Sequence, residues 1–118
     1  MTKDASILTA LATLSFIQDN TDLALEKLEE AIELDSNCFS AWLAKAEILF
    51  SSKNFDAALQ AAERAQQLSP EDVCVHTTLS RIWIEKEDKK KAEKFSLRAR
   101  TLGWKEVIKN NKKTCRTV

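Results

Sequence analysis

The sequence predicts an all-α fold, and within that class an α-solenoid of three stacked helix–turn–helix units. Three observations lead to this prediction. The 118-residue chain contains one Gly and one Pro, far fewer turn residues than an all-β fold needs. Its apolar residues recur with helical rather than alternating spacing. The sequence also aligns with itself when it is shifted by 34 residues.

The 34-residue period defines three repeats without insertions. Residues of the same type coincide in sets of three: Ala24, Ala58 and Ala92; Ala31, Ala65 and Ala99; Leu34, Leu68 and Leu102. The repeats span residues 5–38, 39–72 and 73–106, and the whole chain, 1–118, is predicted to be one domain. Because alanine lets two helix axes approach closely, we expect the repeats to stack and share one continuous core.

Each repeat is predicted to hold two helices. In the middle repeat an apolar stripe starts at Phe39 and Trp42, a polar break follows over 51–54, and a second stripe starts at Phe55. Ser69 and Pro70 are predicted to begin the next helix, as its N-cap and its first residue.

A short capping helix is predicted after the last repeat. Gly103 follows the last aligned leucine, where a helix can end in a left-handed residue. Trp104, Val107 and Ile108 have the spacing of one helical face. We therefore expect a capping segment over 104–112 and a frayed tail over 113–118.

Composition excludes several classes of protein. No apolar run approaches the roughly 18 residues of a membrane span, and we expect no secretory signal because residues 1–4 do not begin a cationic and then continuously apolar segment. A single Gly and a single His leave no phosphate-binding loop and no multi-histidine site, so we expect no cofactor and no metal. The three cysteines are an odd number without close spacing, which predicts reduced thiols and a cytoplasmic protein.

The sequence gives little support for catalysis. Cys74 and His76 are two residues apart and so lie on different sides of a helix, which does not suit a thiol–imidazole pair. We expect His76 at a packing position instead. The chain is therefore predicted not to be an enzyme.

The period and its anchor residues resemble the tetratricopeptide repeat, a family of 34-residue helix–turn–helix units. The middle repeat is the most similar, with Trp42 at the aromatic fourth position. Its other anchors are Ala46, Leu49, Ala58, Ala65 and Pro70. In the outer repeats Leu8 and His76 replace the aromatic residue. The turn glycine of the family is replaced in all three, by Asp19, Lys53 and Glu87. The resemblance covers 5–106 and implies a protein-binding scaffold.

In that family the first helix of each repeat lines a concave groove, so the resemblance places candidate binding residues there. They are Thr9, Thr13, Phe16, Leu43, Glu47, Phe50, Thr77, Arg81 and Ile84. Phe16, Phe50 and Ile84 are expected to form an apolar ladder that suits an extended or helical peptide. The alternative is that the ladder packs internally or is covered by the chain's own termini.

Two further expectations concern charges in the groove. Family members that bind chaperone tails clamp a carboxylate with basic side chains. The matching positions here are Thr9, Thr13, Ala44, Cys74 and Thr78, none of them basic, so no carboxylate clamp is expected. Glu47 and Arg81 occupy the same position in successive repeats. They are predicted to form an ion pair between repeats, or alternatively Arg81 meets an acidic group of a partner.

Charge is distributed very unevenly along the chain. Residues 1–72 contain 5 Lys+Arg and 13 Asp+Glu, whereas residues 73–118 contain 13 Lys+Arg and 5 Asp+Glu, so the halves carry −8 and +8. The basic patch comprises Lys89, Lys90, Lys91, Lys94 and Arg98. Three interpretations of the basic patch are open. It is a solvated face, it steers an acidic partner toward the protein, or it is one of the two surfaces of a head-to-tail self-association. Nucleic acid is an unlikely partner because the acidic half repels phosphates.

The sequence thus favours an adaptor that binds a peptide or protein segment in the groove. The alternative is a self-assembling structural module driven by the acidic half against the basic half. A secretion-type chaperone, which also uses a short repeat array, is the third and weakest hypothesis.

Overall fold

The structure, a computed structural model, describes the backbone of residues 5–115 and the side chains of residues 5–106. Its six helices are α1 (Ala5–Ile17), α2 (Thr21–Leu34), α3 (Phe39–Ser51), α4 (Phe55–Leu68), α5 (Val73–Glu85) and α6 (Lys89–Cys115). Residues 5–115 contain no strand, and the predicted all-α fold of three helix pairs is confirmed. No helix in this range is long and apolar enough to cross a membrane.

The three helix pairs form a curved stack. Within the repeats α1 packs on α2, α3 on α4 and α5 on α6, and between repeats α2 contacts α3 and α4 contacts α5. The first helices also contact one another, α1 with α3 and α3 with α5. In the described part of the chain the second helices α2, α4 and α6 make no such contact with each other. The stack therefore bends around α1, α3 and α5, which form its concave side.

Buried side chains fill two seams between the repeats. The first seam, between repeats one and two, contains the following buried residues: Ala12, Ala24, Leu28, Ala31, Ala41 and Ile48. The second seam, between repeats two and three, contains Ala46, Leu49, Ala58, Ala62, Ala65, Val75, Leu79 and Ile82. All six residues of the two aligned alanine sets are buried. Each seam is thus a close approach of helices over alanine, with a few larger side chains packed beside it.

The turn inside each repeat contains one left-handed residue. Asp19, Lys53 and Glu87 have φ angles of 63°, 65° and 63°. After each of them, the next N–H donates to a carbonyl five residues back: Asn20 to Ser15, Asn54 to Leu49, and Asp88 to Trp83, at 2.9–3.0 Å. This is the Schellman ending of a helix, whose left-handed residue is usually glycine. The residues that replace the family's turn glycine therefore adopt the backbone conformation that glycine adopts most easily.

The start of α5 differs from the prediction. The helix begins at Val73 because the Asp72 carboxylate accepts a hydrogen bond from the Cys74 N–H at 2.8 Å and caps it there. Ser69, predicted as the cap, instead closes α4, with its N–H bonded to the Ala65 carbonyl.

The end of the last helix also differs. Gly103 does not adopt a positive φ, and α6 runs through it to Cys115. The segment 104–112, predicted as a separate capping helix, is therefore the continuation of α6. Of the tail predicted to fray, residues 113–115 also belong to α6, and residues 116–118 lie outside the described part. Glycine permits a left-handed helix end but does not impose one.

Candidate functional site

The predicted groove residues all lie on α1, α3 or α5, but they differ in exposure. Thr13, Glu47, Thr77, Arg81 and Ile84 are exposed. Phe16, Leu43 and Phe50 are half-buried, and Thr9 is buried. Three of the five exposed members lie on α5, and α1 and α3 contribute one each, so the third repeat offers most of the accessible surface of the candidate site.

The threonines of the groove use their hydroxyl groups within their own helices. The Thr9 hydroxyl donates to the Ala5 carbonyl at 2.8 Å, and the Thr77 hydroxyl donates to the Val73 carbonyl at 3.0 Å. Thr13 bonds the Thr9 carbonyl in the same way. Such bonds to the preceding turn leave the methyl groups and the acceptor lone pairs for other contacts.

The predicted ladder is not a continuous exposed strip. Phe16 packs against the first seam and Phe50 against the second. Phe50 also meets the Phe55 ring edge-on, with 5.5 Å between centroids. Ile84 is 60% exposed because, within the described residues, no further repeat follows it. The same repeat position is thus half-buried where a repeat follows and open where none does.

Arg81 packs over an aromatic ring rather than forming the predicted ion pair. Its guanidinium carbon lies 4.5 Å from the Phe50 ring centroid, within the range of a cation–π interaction. Among the described side chains Arg81 and Glu47 do not come within ion-pair distance of each other. Burial raises the pKa of the Glu47 carboxyl, and the nearby Arg81 charge offsets this only in part. Acid and base therefore lie side by side without a direct contact.

Cys74 and His76 are separated as the sequence predicts. Cys74 is exposed at the start of α5, but its thiol is partly shielded from water, which raises the thiol pKa, and the negative charges of Asp72 and Glu47 raise that pKa further. The thiol is therefore held in its protonated, weakly nucleophilic form. The His76 ring is buried and stacks on Phe95 with 6.0 Å between centroids.

Two ring-to-carbonyl hydrogen bonds, which the sequence pattern does not predict, fix the loops before α3 and α5. Trp42 donates its indole N–H to the Ser36 carbonyl at 2.9 Å. At the same position of the next repeat, His76 donates its Nε2–H to the Pro70 carbonyl at 2.7 Å. The expected packing role of His76 is confirmed, and the equal six-residue spacing is the signal that could have revealed the bond.

The basic patch is exposed, as the five residues Lys89, Lys90, Lys91, Lys94 and Arg98 all lie on the surface of α6. Lys91 has its Nζ atom 4.3 Å from the Trp83 ring centroid and 4.0 Å from an Asp88 carboxylate oxygen. Lys90, Lys94 and Arg98 follow one another at four-residue steps and so form one stripe along the helix. No cluster of metal-ligating side chains occurs within residues 5–106.

Comparisons with known proteins agree with this architecture. Two models of the tetratricopeptide repeat match the chain, one over residues 9–73 and one over residues 49–100. No curated protein sequence matches it.

Solved structures of MamA have a similar fold. A crystal structure of MamA superposes with a TM-score of 0.83 at 20% identity, covering 88% of this chain and 61% of that one. A MamA AMB-1 structure gives 0.76 at 20% identity, over 86% and 60% of the two chains. A MamA MSR-1 structure gives 0.77 at 19% identity, over 87% and 59%. The chain thus spans about three fifths of the length of these proteins, and at this identity the likeness concerns the fold.

Proposed function

Because the chain belongs to the tetratricopeptide repeat family, we propose that it is an adaptor that holds a peptide or protein segment on its concave side. The family membership supports a protein–protein interaction scaffold in general. The specific proposal places the segment against α3 and α5, where four of the five exposed groove residues lie. The binding residues are then Glu47, Thr77, Arg81 and Ile84, with Leu43 and Phe50 beneath them.

The unused hydrogen-bonding capacity of Glu47 and Arg81 supports this proposal most directly. Within the described residues neither side chain makes a hydrogen bond or an ion pair, although they are close enough for Arg81 to lower the Glu47 pKa. A peptide segment offers both N–H donors and carbonyl acceptors. Glu47 can accept the former and Arg81 can donate to the latter, while Ile84 and the Phe50 ring supply apolar contact.

Phe50 is not a suitable residue for testing the groove. Its ring packs against the second seam and under Arg81, so Phe50→Asp would place a charge against buried apolar groups and destabilise the fold. Loss of binding by that variant would not distinguish a lost contact from a lost structure. The exposed residues avoid this difficulty.

We would test the proposal with a photo-crosslinking amino acid at Thr77, in the groove, and at Gln60, an exposed residue of α4, as the matched control. Irradiation in a lysate of the source cell, followed by mass spectrometry, is expected to link a partner to position 77 and not to position 60. The double variant Glu47→Ser with Arg81→Ser is expected to lower that yield about tenfold.

Equal crosslinking from positions 77 and 60 would contradict the groove. So would a yield from position 77 that the double variant leaves unchanged. If position 77 links only to other copies of this chain, the adaptor proposal fails and self-assembly takes its place.

We also propose that the protein acts in the cytoplasm. Cys38 and Cys74 carry free thiols, Cys38 half-buried and Cys74 exposed. An exposed thiol of this kind persists in a reducing compartment.

A further inference from the structure

We infer that copies of this chain stack end to end, with α1 of one copy docking on α5 and α6 of the next as a fourth repeat would. This inference goes beyond the adaptor proposal, because it concerns the two ends of the stack rather than its concave side. The two ends are named here by their residues. The head face is Ile7, Leu11 and Leu14 on α1, and the tail seat is Ser80, Ala92 and Ser96 on α5 and α6.

The head face is exposed although its counterparts in the other repeats are largely buried. Ile7, Leu11 and Leu14 are 55%, 44% and 52% exposed. The residues one period later are Ala41, Lys45 and Ile48, and two periods later Val75, Leu79 and Ile82. Of these six, all but Lys45 are buried, because the second helix of the preceding repeat covers them. Within residues 5–106 the head face is therefore a seam surface without its other half.

The tail seat is the missing half of such a seam. Ser80, Ala92 and Ser96 line a cavity of about 520 Å³, together with Ile84 and, at its edge, the exposed charged residues Glu87, Lys89 and Glu93. The residues one period earlier are Ala46, Ala58 and Ala62, which pack in the second seam with Val75, Leu79 and Ile82. The cavity therefore lies where the first helix of a following repeat would insert its side chains.

The tail seat is also chemically suited to apolar side chains. The Ser80 hydroxyl donates to the Ala92 carbonyl at 2.9 Å, so this buried polar group is already satisfied inside the protein. Ala92 presents only a methyl group. Insertion of Ile7, Leu11 and Leu14 would therefore bury apolar surface without breaking the hydrogen bond of Ser80.

A contact across the first seam has an apolar equivalent at the junction between copies. In the first seam Lys45 of α3 pairs with Glu29 of α2, with 2.6 Å between Nζ and Oε1. At the junction between copies the same positions are held by Leu11 of α1 and Leu97 of α6. Both leucines are exposed within the chain, Leu97 by 62%. Two exposed leucines thus replace the ion pair and would cover each other.

The charges of the second helices also match across this junction. On the outer surface three aligned positions carry Asp22, Glu26 and Glu30 on α2, and Lys90, Lys94 and Arg98 on α6. Stacking makes α6 of one copy and α2 of the next successive second helices, which do not contact each other in the stack, so the two stripes lie on the same outer side and attract only over a distance. The opposite charges of the chain's two halves then attract across every junction.

Contacts of this kind join two different surfaces and leave one of each unpaired at the ends. They therefore generate open filaments or closed rings, whereas a symmetric dimer uses the same surface twice. This difference makes the inference testable with variants of the two ends.

The first experiment measures the mass of the full chain by light scattering across a range of protein concentrations, at low and at high salt. We expect assemblies larger than a dimer that grow with concentration and shrink as salt rises. A monomer at all concentrations in low salt would overturn the inference, whatever the outcome of the groove experiment.

The second experiment uses one variant at each end. Leu14→Lys places a charge on the head face, near the C-terminus of α1 where a cation is favourable, and Ser96→Lys places one in the tail seat. Leu34→Lys is the matched control, since Leu34 is a similarly exposed leucine in the last turn of α2. Circular dichroism checks that all three variants remain helical.

A solution of one end variant alone is expected to associate about tenfold more weakly, or more weakly still. All copies then have the same altered end, so the intact end of one copy finds no intact complementary surface on another. An equimolar mixture of the two is expected to form a dimer and nothing larger, since one intact head meets one intact tail. Leu34→Lys should assemble like the wild type. Failure of the mixture to dimerise, or unchanged assembly by Leu14→Lys, would overturn end-to-end stacking.

Discussion

The two seams of the stack use the same repeat positions with different side chains. In the first seam the positions that face the preceding repeat hold Ala41, Lys45 and Ile48, whereas in the second they hold Val75, Leu79 and Ile82. Lys45 reaches out to Glu29, while Leu79 is fully buried. The comparison shows that the 34-residue period determines where the helices meet, and that the individual residues determine how strongly they do so.

The second seam should be the stronger one. Three of the largest fully buried side chains of the described residues, Val75, Leu79 and Ile82, come from α5. Burial of such side chains contributes about 1.5–3 kcal/mol each, whereas an ion pair near the surface contributes about 0–1 kcal/mol. In a linear stack each repeat depends on its neighbours, so we expect repeat one to open before repeats two and three separate.

The largest expected effect is from truncating the second seam at Leu79. Leu79→Ala should lower the free energy of unfolding by about 2–5 kcal/mol, because the removed side chain leaves a cavity that the surrounding residues fill only in part. Lys45→Ala, at the same position of the preceding repeat, should cost no more than about 1 kcal/mol. Urea denaturation followed by circular dichroism measures both. Equal losses for the two variants would mean that the seams do not differ in strength.

A smaller effect is expected from the two ring-to-carbonyl hydrogen bonds. His76→Phe keeps an aromatic ring against Phe95 but leaves the Pro70 carbonyl without its donor, which should cost about 1–3 kcal/mol. Trp42→Phe removes the corresponding bond to Ser36 at a more exposed site, where water can replace the indole N–H. Its cost through the lost bond should be about 1 kcal/mol or less. A larger loss for Trp42→Phe in the same urea experiment would reverse the ranking.

The smallest effect is expected at the turns, which are alike in all three repeats. Glycine at Asp19, Lys53 or Glu87 relieves the left-handed strain of about 1–2 kcal/mol and adds backbone entropy to the unfolded chain. The net gain should be about 0.5–1 kcal/mol for each variant, regardless of the seam it adjoins. Thermal melts compare the three with Gln18→Gly, which precedes the left-handed residue and should bring no gain. If the melting temperature falls in all three glycine variants, the left-handed residues at these turns are not strained.

Sequence reasoning located the repeats and the turn residues because these depend on local spacing. The three residues in place of the turn glycine are the three residues within 5–115 that have positive φ, and the aligned alanines are buried. It could not locate the start of α5, since Ser69 and Asp72 are both good caps and only the folded loop selects Asp72. Nor could it tell that α6 passes through Gly103, because glycine is compatible with both outcomes.

The groove was the least predictable part. The ladder position lies at the edge of the seams, so the exposure of Phe16, Phe50 and Ile84 depends on whether a repeat follows each of them. The Glu47–Arg81 ion pair failed as a prediction because the Phe50 ring offers Arg81 another contact at short range. Such contacts depend on which residues are close together in the folded protein, whereas the sequence shows only which residues are close along the chain. The role of the groove residues in binding stays a prediction.

The alanine rows have a mechanical consequence. Ala24, Ala58 and Ala92 form one row, and Ala31, Ala65 and Ala99 the other, and all six are buried. A slightly larger side chain there must push adjacent helices apart, and this changes the angle between repeats. The curvature of the concave side is therefore set by residues of the second helices, outside the groove. The span of the groove, set by these alanines, and the chemistry of its surface, set by the exposed residues of the first helices, can therefore change independently.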